Sequence, residues 1–109
     1  MTRFDPEQFE EKYVHYFEEL EAAYSNAYND LHGSCDSQIL RGIDRQILAE
    51  SEPVYEGEGQ FRVVLPDDLD RRIEAIPGEE EVVRDLLDRF TVGIEAELKR
   101  WAGNQGEFD

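Results

Sequence analysis

The sequence feature that most constrains the fold is a series of aromatic and aliphatic side chains, three or four residues apart, in residues 9–31. This spacing is that of one face of an α-helix, and acidic side chains occupy the opposite face. The apolar face consists of Phe9, Tyr13, Tyr16, Phe17, Leu20, Tyr24, Ala27, Tyr28 and Leu31. The sequence therefore predicts one long amphipathic helix whose apolar stripe must be covered.

The predicted start of this helix carries several signals of a helix N-terminus: an N-cap residue, a proline at the first helical position, a capping box and a hydrophobic staple. The residues concerned are Phe4, Asp5, Pro6, Gln8 and Phe9. Gly33 is typical of the position just after a helix. A helix from Pro6 to Leu31 would be about 39 Å long. We expect other elements of the chain, or a second copy, to cover it.

The net charge of the chain indicates the kind of solvent to which the protein is adapted. The 109 residues include 27 acidic and 11 basic side chains, which gives a net charge of −16. Only Lys12 and Lys99 are lysines. Such acidic, lysine-poor surfaces resemble those of cytoplasmic proteins from extreme halophiles, since molar salt shortens the Debye length to about 3 Å and so weakens charge repulsion. We expect a folded, salt-adapted cytoplasmic protein.

The same composition argues against several partners. Nucleic acids and anionic membranes would be repelled, and no basic patch offsets the acidic charge. No apolar run approaches the roughly 20 residues that a membrane-spanning helix needs. One cysteine, Cys35, excludes an internal disulfide and suits a reducing compartment. Length and pattern predict a single domain over residues 1–109, with a core at about 4–102 and a flexible tail at 103–109.

The middle of the chain predicts a helix and then a hairpin. Ser34 or Asp36 can cap a second helix that ends by Glu52, because a proline follows. Gly42 within it either lets another helix approach closely or is simply tolerated. The apolar face of this helix is Ile39, Leu40, Ile43, Ile47 and Leu48. Two β-prone runs, at residues 54–55 and 61–65, then predict a β-hairpin, because the stretch between them contains two glycines.

Two further helices are predicted after the hairpin. A short helix opens at Pro66 and Asp67, and it carries an apolar stripe of Leu69, Ile73 and Ile76. A long helix covers about residues 79–102, with acidic residues at its start, basic residues at its end, and i,i+4 pairs at Glu80–Arg84, Asp85–Arg89 and Glu95–Lys99. Its predicted face is Val82, Val83, Leu86, Leu87, Phe90, Ile94, Leu98 and Trp101.

The fold class that results is mainly α, of the α+β type. It is a four-helix arrangement with two long helices and a two-stranded β-hairpin between the second and third helices.

Three stretches resemble a family of small haloarchaeal proteins of unknown function. They read FDPE at residues 4–7, FEEKYVHYFEEL at 9–20 and SEPVYEGEGQFR at 51–62. Together with the C-terminal amphipathic helix, the resemblance covers most of the chain. It implies a single cytoplasmic domain in a halophile, and it carries over no activity, cofactor or binding residue.

Candidate metal ligands occur in two places. Glu11, His15 and Glu18 are about one helical turn apart, with Glu19 beside them, and carboxylate and imidazole groups at this spacing can share a metal ion. His32, Cys35 and Asp36 follow in the turn after the helix, but a structural zinc site needs four ligands. In both places the sequence favours ordinary structural roles, and it indicates no cofactor.

The aromatic stripe and the hairpin are the predicted interaction surfaces. Tyr16 and Tyr24 represent the stripe, and Tyr55, Gly57, Gly59 and Phe61 form the hairpin tip, which is either a recognition loop or a flap over the bundle. We expect a non-enzymatic interaction or regulatory module that forms a homo-oligomer, with a dimer favoured, or binds another protein. The alternative is a metal-binding protein or metal-dependent enzyme that uses Glu11, His15 and Glu18.

Overall fold

The computed structural model describes residues 6–103 and confirms a mainly helical α+β fold with a hairpin between its helices. The elements are α1 (Pro6–Phe9), α2 (Lys12–His15), α3 (Phe17–Leu31), α4 (Ser37–Gln46), β1 (Glu52–Gly57), β2 (Gln60–Val64), α5 (Leu69–Glu74) and α6 (Glu80–Gly103). A single 3₁₀ turn, Leu48–Glu50, connects α4 to β1. The predicted caps at Phe4 and Asp5 and most of the predicted tail lie outside the described residues.

The prediction of one unbroken first helix is wrong. Glu11 and Tyr16 have non-helical backbone angles, which divide the stretch into α1, α2 and α3. No side chain caps either break. Burial of aromatic rings compensates, because Tyr16 lies 5.1 Å from the ring of Trp101 and Phe9 lies 5.4 Å from the ring of Phe61. The breaks fold the first two turns over the hairpin, so the roughly 39 Å rod does not form.

The end of α3 follows the sequence pattern. His32 leaves the helix with extended backbone, and its N–H donates to the Tyr28 carbonyl. Gly33 then adopts φ +93°, a left-handed conformation that favours glycine. The next helix is capped by Asp36, whose carboxylate accepts from the N–H groups of Gln38 and Ile39 at 2.8 and 3.2 Å. Of the two predicted caps for α4, Asp36 is therefore the one used.

The core is built around α6, which packs against α3, α4, α5 and β2. Its side chains Phe90, Ile94 and Leu98 are completely buried. The crossing with α3 is close because small residues meet there: a Cβ on Gly93 would lie 3.4 Å from the Ala27 Cβ. Of the predicted α6 face, Trp101 is half-buried and packs against the core, whereas Val82 is exposed.

The hairpin lies on α6 through one face of β2. Phe61 and Val63 are buried, and the strands are antiparallel with Pro53 opposite Val63. The Val63 N–H donates to the Glu95 carboxylate of α6 at 2.9 Å, so a helix side chain satisfies a donor of the strand. Glu95 was predicted to pair with Lys99, and that ion pair is not among those formed within residues 6–103. The Glu80–Arg84 and Asp85–Arg89 pairs form, at 2.7 and 4.0 Å.

The predicted third helix is shorter than its pattern suggested. It contributes only the six residues of α5, and Ile76 lies beyond its end. Within the described residues, α3, α4 and α6 are the helices of at least seven residues, and α3 and α6 are the long ones. Gly42 has a packing role, because a Cβ there would lie 3.2 Å from Ile76 Cγ2. The approaching group is thus the turn after α5.

Candidate interaction groove

A groove lined by aromatic side chains runs along α3, and we name it the aromatic groove. It consists of two adjoining clefts of about 380 and 260 Å³, which share Tyr24 and Ser25. Its α2–α3 wall is formed by Tyr13, Phe17, Leu20, Glu21, Tyr24, Ser25, Tyr28 and Asn29, and its opposite wall by Asp44, Leu48, Ala49, Ser51 and Pro53. The groove therefore lies between α3 on one side and α4 with the segment that links it to the hairpin on the other, and its larger cleft is mainly apolar.

The groove arises because residues 9–31 carry two apolar stripes and not one. The buried stripe contains Phe9, Tyr16, Leu20, Ala23 and Ala27. The predicted residues Tyr13, Phe17, Tyr24 and Tyr28 form a second stripe beside it, which is only partly covered. Small residues in the first stripe let α6 approach α3 closely, and the large rings remain at the side, where they line the groove.

Three exposed apolar side chains lie in α2 and at the start of α3, and we name them the apolar ridge. Tyr13 is 57% exposed, Val14 is 76% exposed and Phe17 is 51% exposed. Tyr13 and Phe17 also line the groove wall, so ridge and groove are contiguous. Contiguous exposed apolar surface with aromatic side chains is typical of protein interaction sites.

Lys12 fixes the orientation of the ridge. Its side chain is only 6% exposed, and its ammonium group lies 2.9 Å from the Glu52 carboxylate of β1. The same group lies 5.3 Å from the ring centres of Phe9 and Tyr13, within the range of cation–π attraction. Since consecutive residues of a helix point about 100° apart, turning Lys12 inward directs Tyr13 and Val14 outward.

The floor of the groove is held by a hydrogen-bonded pair of hydroxyls. Ser51 Oγ donates to the Leu48 carbonyl at 2.7 Å, and it lies 3.0 Å from the Tyr24 hydroxyl, within hydrogen-bond distance. Burial raises the pKa of Tyr24 to about 12, and nearby Tyr13 and Glu52 add to the rise, whereas the Ser51 hydrogen bond opposes it. Burial and Glu52 also raise the pKa of Tyr13. A phenol with so high a pKa stays protonated near neutral pH and is a poor general base.

The hairpin-tip residues that sequence reasoning selected are turned toward the protein itself. Phe61 is buried, and Tyr55 is half-buried with its ring 5.0 Å from that of Phe61. The Gly59 N–H donates to the Tyr55 hydroxyl at 2.8 Å, which fastens the turn. Gly57 and Gly59 have φ values of +91° and +77°, which explains the two glycines as turn formers. These contacts hold the two aromatic side chains of the hairpin against the protein.

The two stripe residues that were predicted for interaction fall in different places. Tyr16 is 3% exposed, and its hydroxyl donates to Gln8 Oε1 at 3.2 Å. Its ring thus belongs to the core. Tyr24 lies in the aromatic groove, at the junction of the two clefts.

The predicted metal-ligand residues do not form a cluster. His15 Nε2 lies 3.6 Å from Glu11 Oε1, as their spacing predicted. Across residues 6–103, no group of three or more His, Cys, Asp and Glu side chains is arranged to hold a metal ion, so Glu18 and Glu19 do not complete a site with this pair.

The turn between α3 and α4 uses its three candidate ligands for structural contacts. The ring of His32 stacks on that of Tyr28 at 6.0 Å, and Cys35 Sγ donates to the Leu31 carbonyl at 3.1 Å. Asp36 caps α4. These contacts are those of an ordinary connection between helices.

Sequence reasoning missed Lys12, Val14 and Ser51 as parts of the groove region. Val14 left a usable signal, since it is a large apolar residue that lies off the predicted apolar face of its helix. Lys12 left none, because lysine is rarely buried and its partner Glu52 is distant in sequence. The role of Ser51 depends on how the 3₁₀ turn brings it to Tyr24, which no spacing rule indicates.

Comparison with known proteins identifies the family of the chain. A family model described as a family of unknown function, DUF5783, matches residues 1–105, and the chain belongs to this family. No curated protein and no solved structure matches the chain. The family agrees with the expected membership in a family of unknown function. In the part of the chain that the structure describes, no helix has the length and apolar character to cross a membrane.

Proposed function

We propose that this protein is a non-enzymatic helical interaction module that forms a homodimer through its aromatic groove. The observation that carries the proposal is the position of the apolar ridge directly beside the groove. Tyr13 and Phe17 belong to both, and Val14 projects from the same turn with 76% of its surface exposed.

A ridge next to a groove is self-complementary under two-fold symmetry. In an isologous dimer the same patch is present on both subunits, so the ridge of each copy can enter the groove of the other. The aromatic rings at the ridge supply large apolar contact area, and the groove offers accessible apolar surface from side chains such as Tyr24 and Ala49. A second copy is therefore the occupant that we propose.

Charge sets the condition under which such a dimer forms. Each subunit has a net charge of −16, so two copies repel one another in dilute buffer. Molar salt screens this repulsion beyond about 3 Å, whereas contact between apolar surfaces does not depend on opposite charges. The proposed dimer is thus stable in concentrated salt and dissociates in dilute salt, which suits a cytoplasmic protein of a halophile.

Sedimentation equilibrium in molar KCl tests the dimer. Wild type should have the mass of two chains, and the variant Val14→Ser/Phe17→Ala should be a monomer at the same concentration. Val92→Ser is the matched control, because Val92 is 55% exposed on α6 and lies outside the groove. Monomeric wild type, or a ridge variant that dimerises as well as wild type, would overturn self-association, and monomeric wild type would point to another protein as the occupant.

We also propose that the chain folds as a single salt-dependent domain. Its acidic surface should destabilise the compact state in dilute buffer, and added salt should restore it. Circular dichroism at 222 nm should therefore show a gain in helicity between dilute buffer and molar KCl, with one cooperative thermal transition in salt. Full helicity in dilute buffer, with no gain on adding salt, would contradict the proposal that folding depends on salt.

A further inference from the structure

A cleft lined by arginine side chains lies on the outer side of α4, and the proposed function does not use it. We name it the arginine cleft. Its volume is about 370 Å³. Its walls are formed by Gln38, Arg41, Gly42, Arg45, Gln46 and Pro77. We propose that the arginine cleft binds an oxyanion, the phosphate or carboxylate group of a small molecule.

Arg41 and Arg45 are cations without a close carboxylate partner among residues 6–103, and they line the same cleft. Acidic residues outnumber basic ones by 27 to 11, so a cation readily finds a carboxylate. Lys12, Arg62, Arg72, Arg84, Arg89 and Arg100 all form ion pairs, whereas Arg71 and Lys99, which lie outside the cleft, form none in the part of the chain that the structure describes. Within the described residues Arg41 forms no ion pair, and Arg45 interacts electrostatically with its neighbour Asp44 without a close contact.

Helix geometry places both guanidinium groups on one side of the cleft. Arg41 and Arg45 are four residues apart in α4, which puts them on the same face. Like charges at this spacing destabilise a helix slightly unless an anion lies between them. Asp44, the nearest acid in sequence, lies on a different face, since it lines the aromatic groove with Tyr24 and Tyr28.

The opposite wall depends on Gly42. The absence of a side chain there lets Ile76 approach α4, because a Cβ at this position would lie 3.2 Å from Ile76 Cγ2. The following residue, Pro77, is thereby brought near the helix and lines the cleft. The amide side chains of Gln38 and Gln46 add hydrogen-bond donors at the two ends.

Chemistry limits the ligand to a small anion. Arginine forks bind carboxylate and phosphate oxygens through paired, charge-assisted hydrogen bonds. A third guanidinium lies close by, since Arg72 Nη1 donates to the Gln46 carbonyl at 2.7 Å, but its partner Asp68 neutralises it. A long polyanion would meet the repulsion of a chain with net charge −16, whereas a small anion needs to approach only this cleft.

A titration followed by two-dimensional ¹H–¹⁵N NMR tests the proposal. Inorganic phosphate and, separately, succinate are added at constant ionic strength to wild type, to Arg41→Gln/Arg45→Gln and to Arg89→Gln. Arg89 is the control because it is an exposed α6 arginine outside the cleft. We expect saturable shifts of the amides of Gln38, Gly42 and Gln46 with a dissociation constant of about 1 mM, a standard free energy near −4 kcal/mol.

The affinities of the variants distinguish a specific arginine site from nonspecific anion binding. The double variant should bind at least tenfold more weakly, Arg89→Gln should match wild type, and Arg41→Lys should fall between them, since it keeps the charge and loses the fork. Saturation by phosphate alone assigns a phosphorylated ligand, and saturation by succinate alone assigns a carboxylate ligand. Shifts that never saturate, or equal binding by wild type and the double variant, would overturn the proposal. Circular dichroism confirms that each variant is folded.

Discussion

The two ends of the chain contain similar apolar repeats but behave differently. Helix α6 runs without a break for 24 residues and buries Val83, Leu86, Phe90, Ile94 and Leu98 along one line. Residues 6–31 have an equally regular pattern, yet they form three helices separated at Glu11 and Tyr16.

The difference teaches that aromatic spacing predicts helical structure but not which side of a helix is buried. In α6 the apolar stripe is narrow, and the other elements cover it. In α3 the close contact with α6 goes to Ala23 and Ala27, opposite Gly93. The large rings beside this contact are left as groove walls or as the apolar ridge, which is why we place the proposed interaction surface in the N-terminal region and not on α6.

The largest expected effect contrasts one aromatic side chain from each region. Phe90 is completely buried, so Phe90→Ala should lower the free energy of unfolding by about 3–5 kcal/mol through lost burial and a cavity. Phe17 is 51% exposed, and Phe17→Ala should change it by no more than about 0.5 kcal/mol. Urea unfolding in molar KCl at protein concentrations below dimerisation measures both. Similar losses would show that Phe17 belongs to the core.

The next effect concerns the ion pair that orients the ridge. Glu52→Gln leaves the ammonium group of Lys12 buried without a counter-charge, and it should cost about 2 kcal/mol. Lys12→Met replaces that group with an apolar chain of similar length, and its stability should lie within about 1 kcal/mol of wild type or above it. Thermal unfolding in molar KCl measures the stability of both variants relative to wild type. A larger loss for Lys12→Met than for Glu52→Gln would contradict this account of the pair.

A smaller effect tests how α6 holds the hairpin. Glu95→Ala removes the acceptor of the Val63 N–H and should cost about 1–2 kcal/mol. Glu95→Gln keeps a carbonyl acceptor and should recover most of that loss. Hydrogen exchange at the Val63 amide should quicken in the alanine variant and stay slow in the glutamine variant. Unchanged exchange in Glu95→Ala would show that this hydrogen bond does not secure β2.

The smallest expected effect concerns the Tyr24 hydroxyl at the floor of the groove. The pKa of Tyr24 is raised to about 12 from its ordinary value of 10.0, so the stabilising effect of the neutral hydroxyl is complete below pH 10 and is lost between pH 10 and 12. Tyr24→Phe should cost about 0.5–1 kcal/mol near neutral pH through the lost Ser51 hydrogen bond. It should also flatten the fall in stability between pH 10 and 12. An equally steep fall in the variant would assign the titration to another group.

The sequence predicted well those elements that depend on local rules. The hairpin followed from two glycines between β-prone runs, the α4 cap from Asp36, and α6 from a stripe and terminal charges that agree with one another. Gly33 also has the left-handed backbone expected after a helix.

The aromatic groove could be predicted only in part, because it depends on contacts between distant residues. Tyr24 was predicted as an interaction residue of the stripe and lines the groove, but the groove needs the 3₁₀ turn and Pro53 as a second wall. The breaks at Glu11 and Tyr16 arise from ring packing against Phe61 and Trp101, which no local pattern encodes. Lysine burial runs against composition rules, so the inward turn of Lys12 could not be foreseen.

Hydrogen–deuterium exchange in molar KCl, compared between dilute and concentrated protein, tests self-association through the groove most directly. If two copies associate through the groove, amides at residues 13–17 and 48–51 become more protected as the protein concentration rises. The amides around Gly57, Gly59 and Val92 do not change. Protection confined to the hairpin tip or to the Val92 side of α6, or no change anywhere, would contradict self-association through the groove.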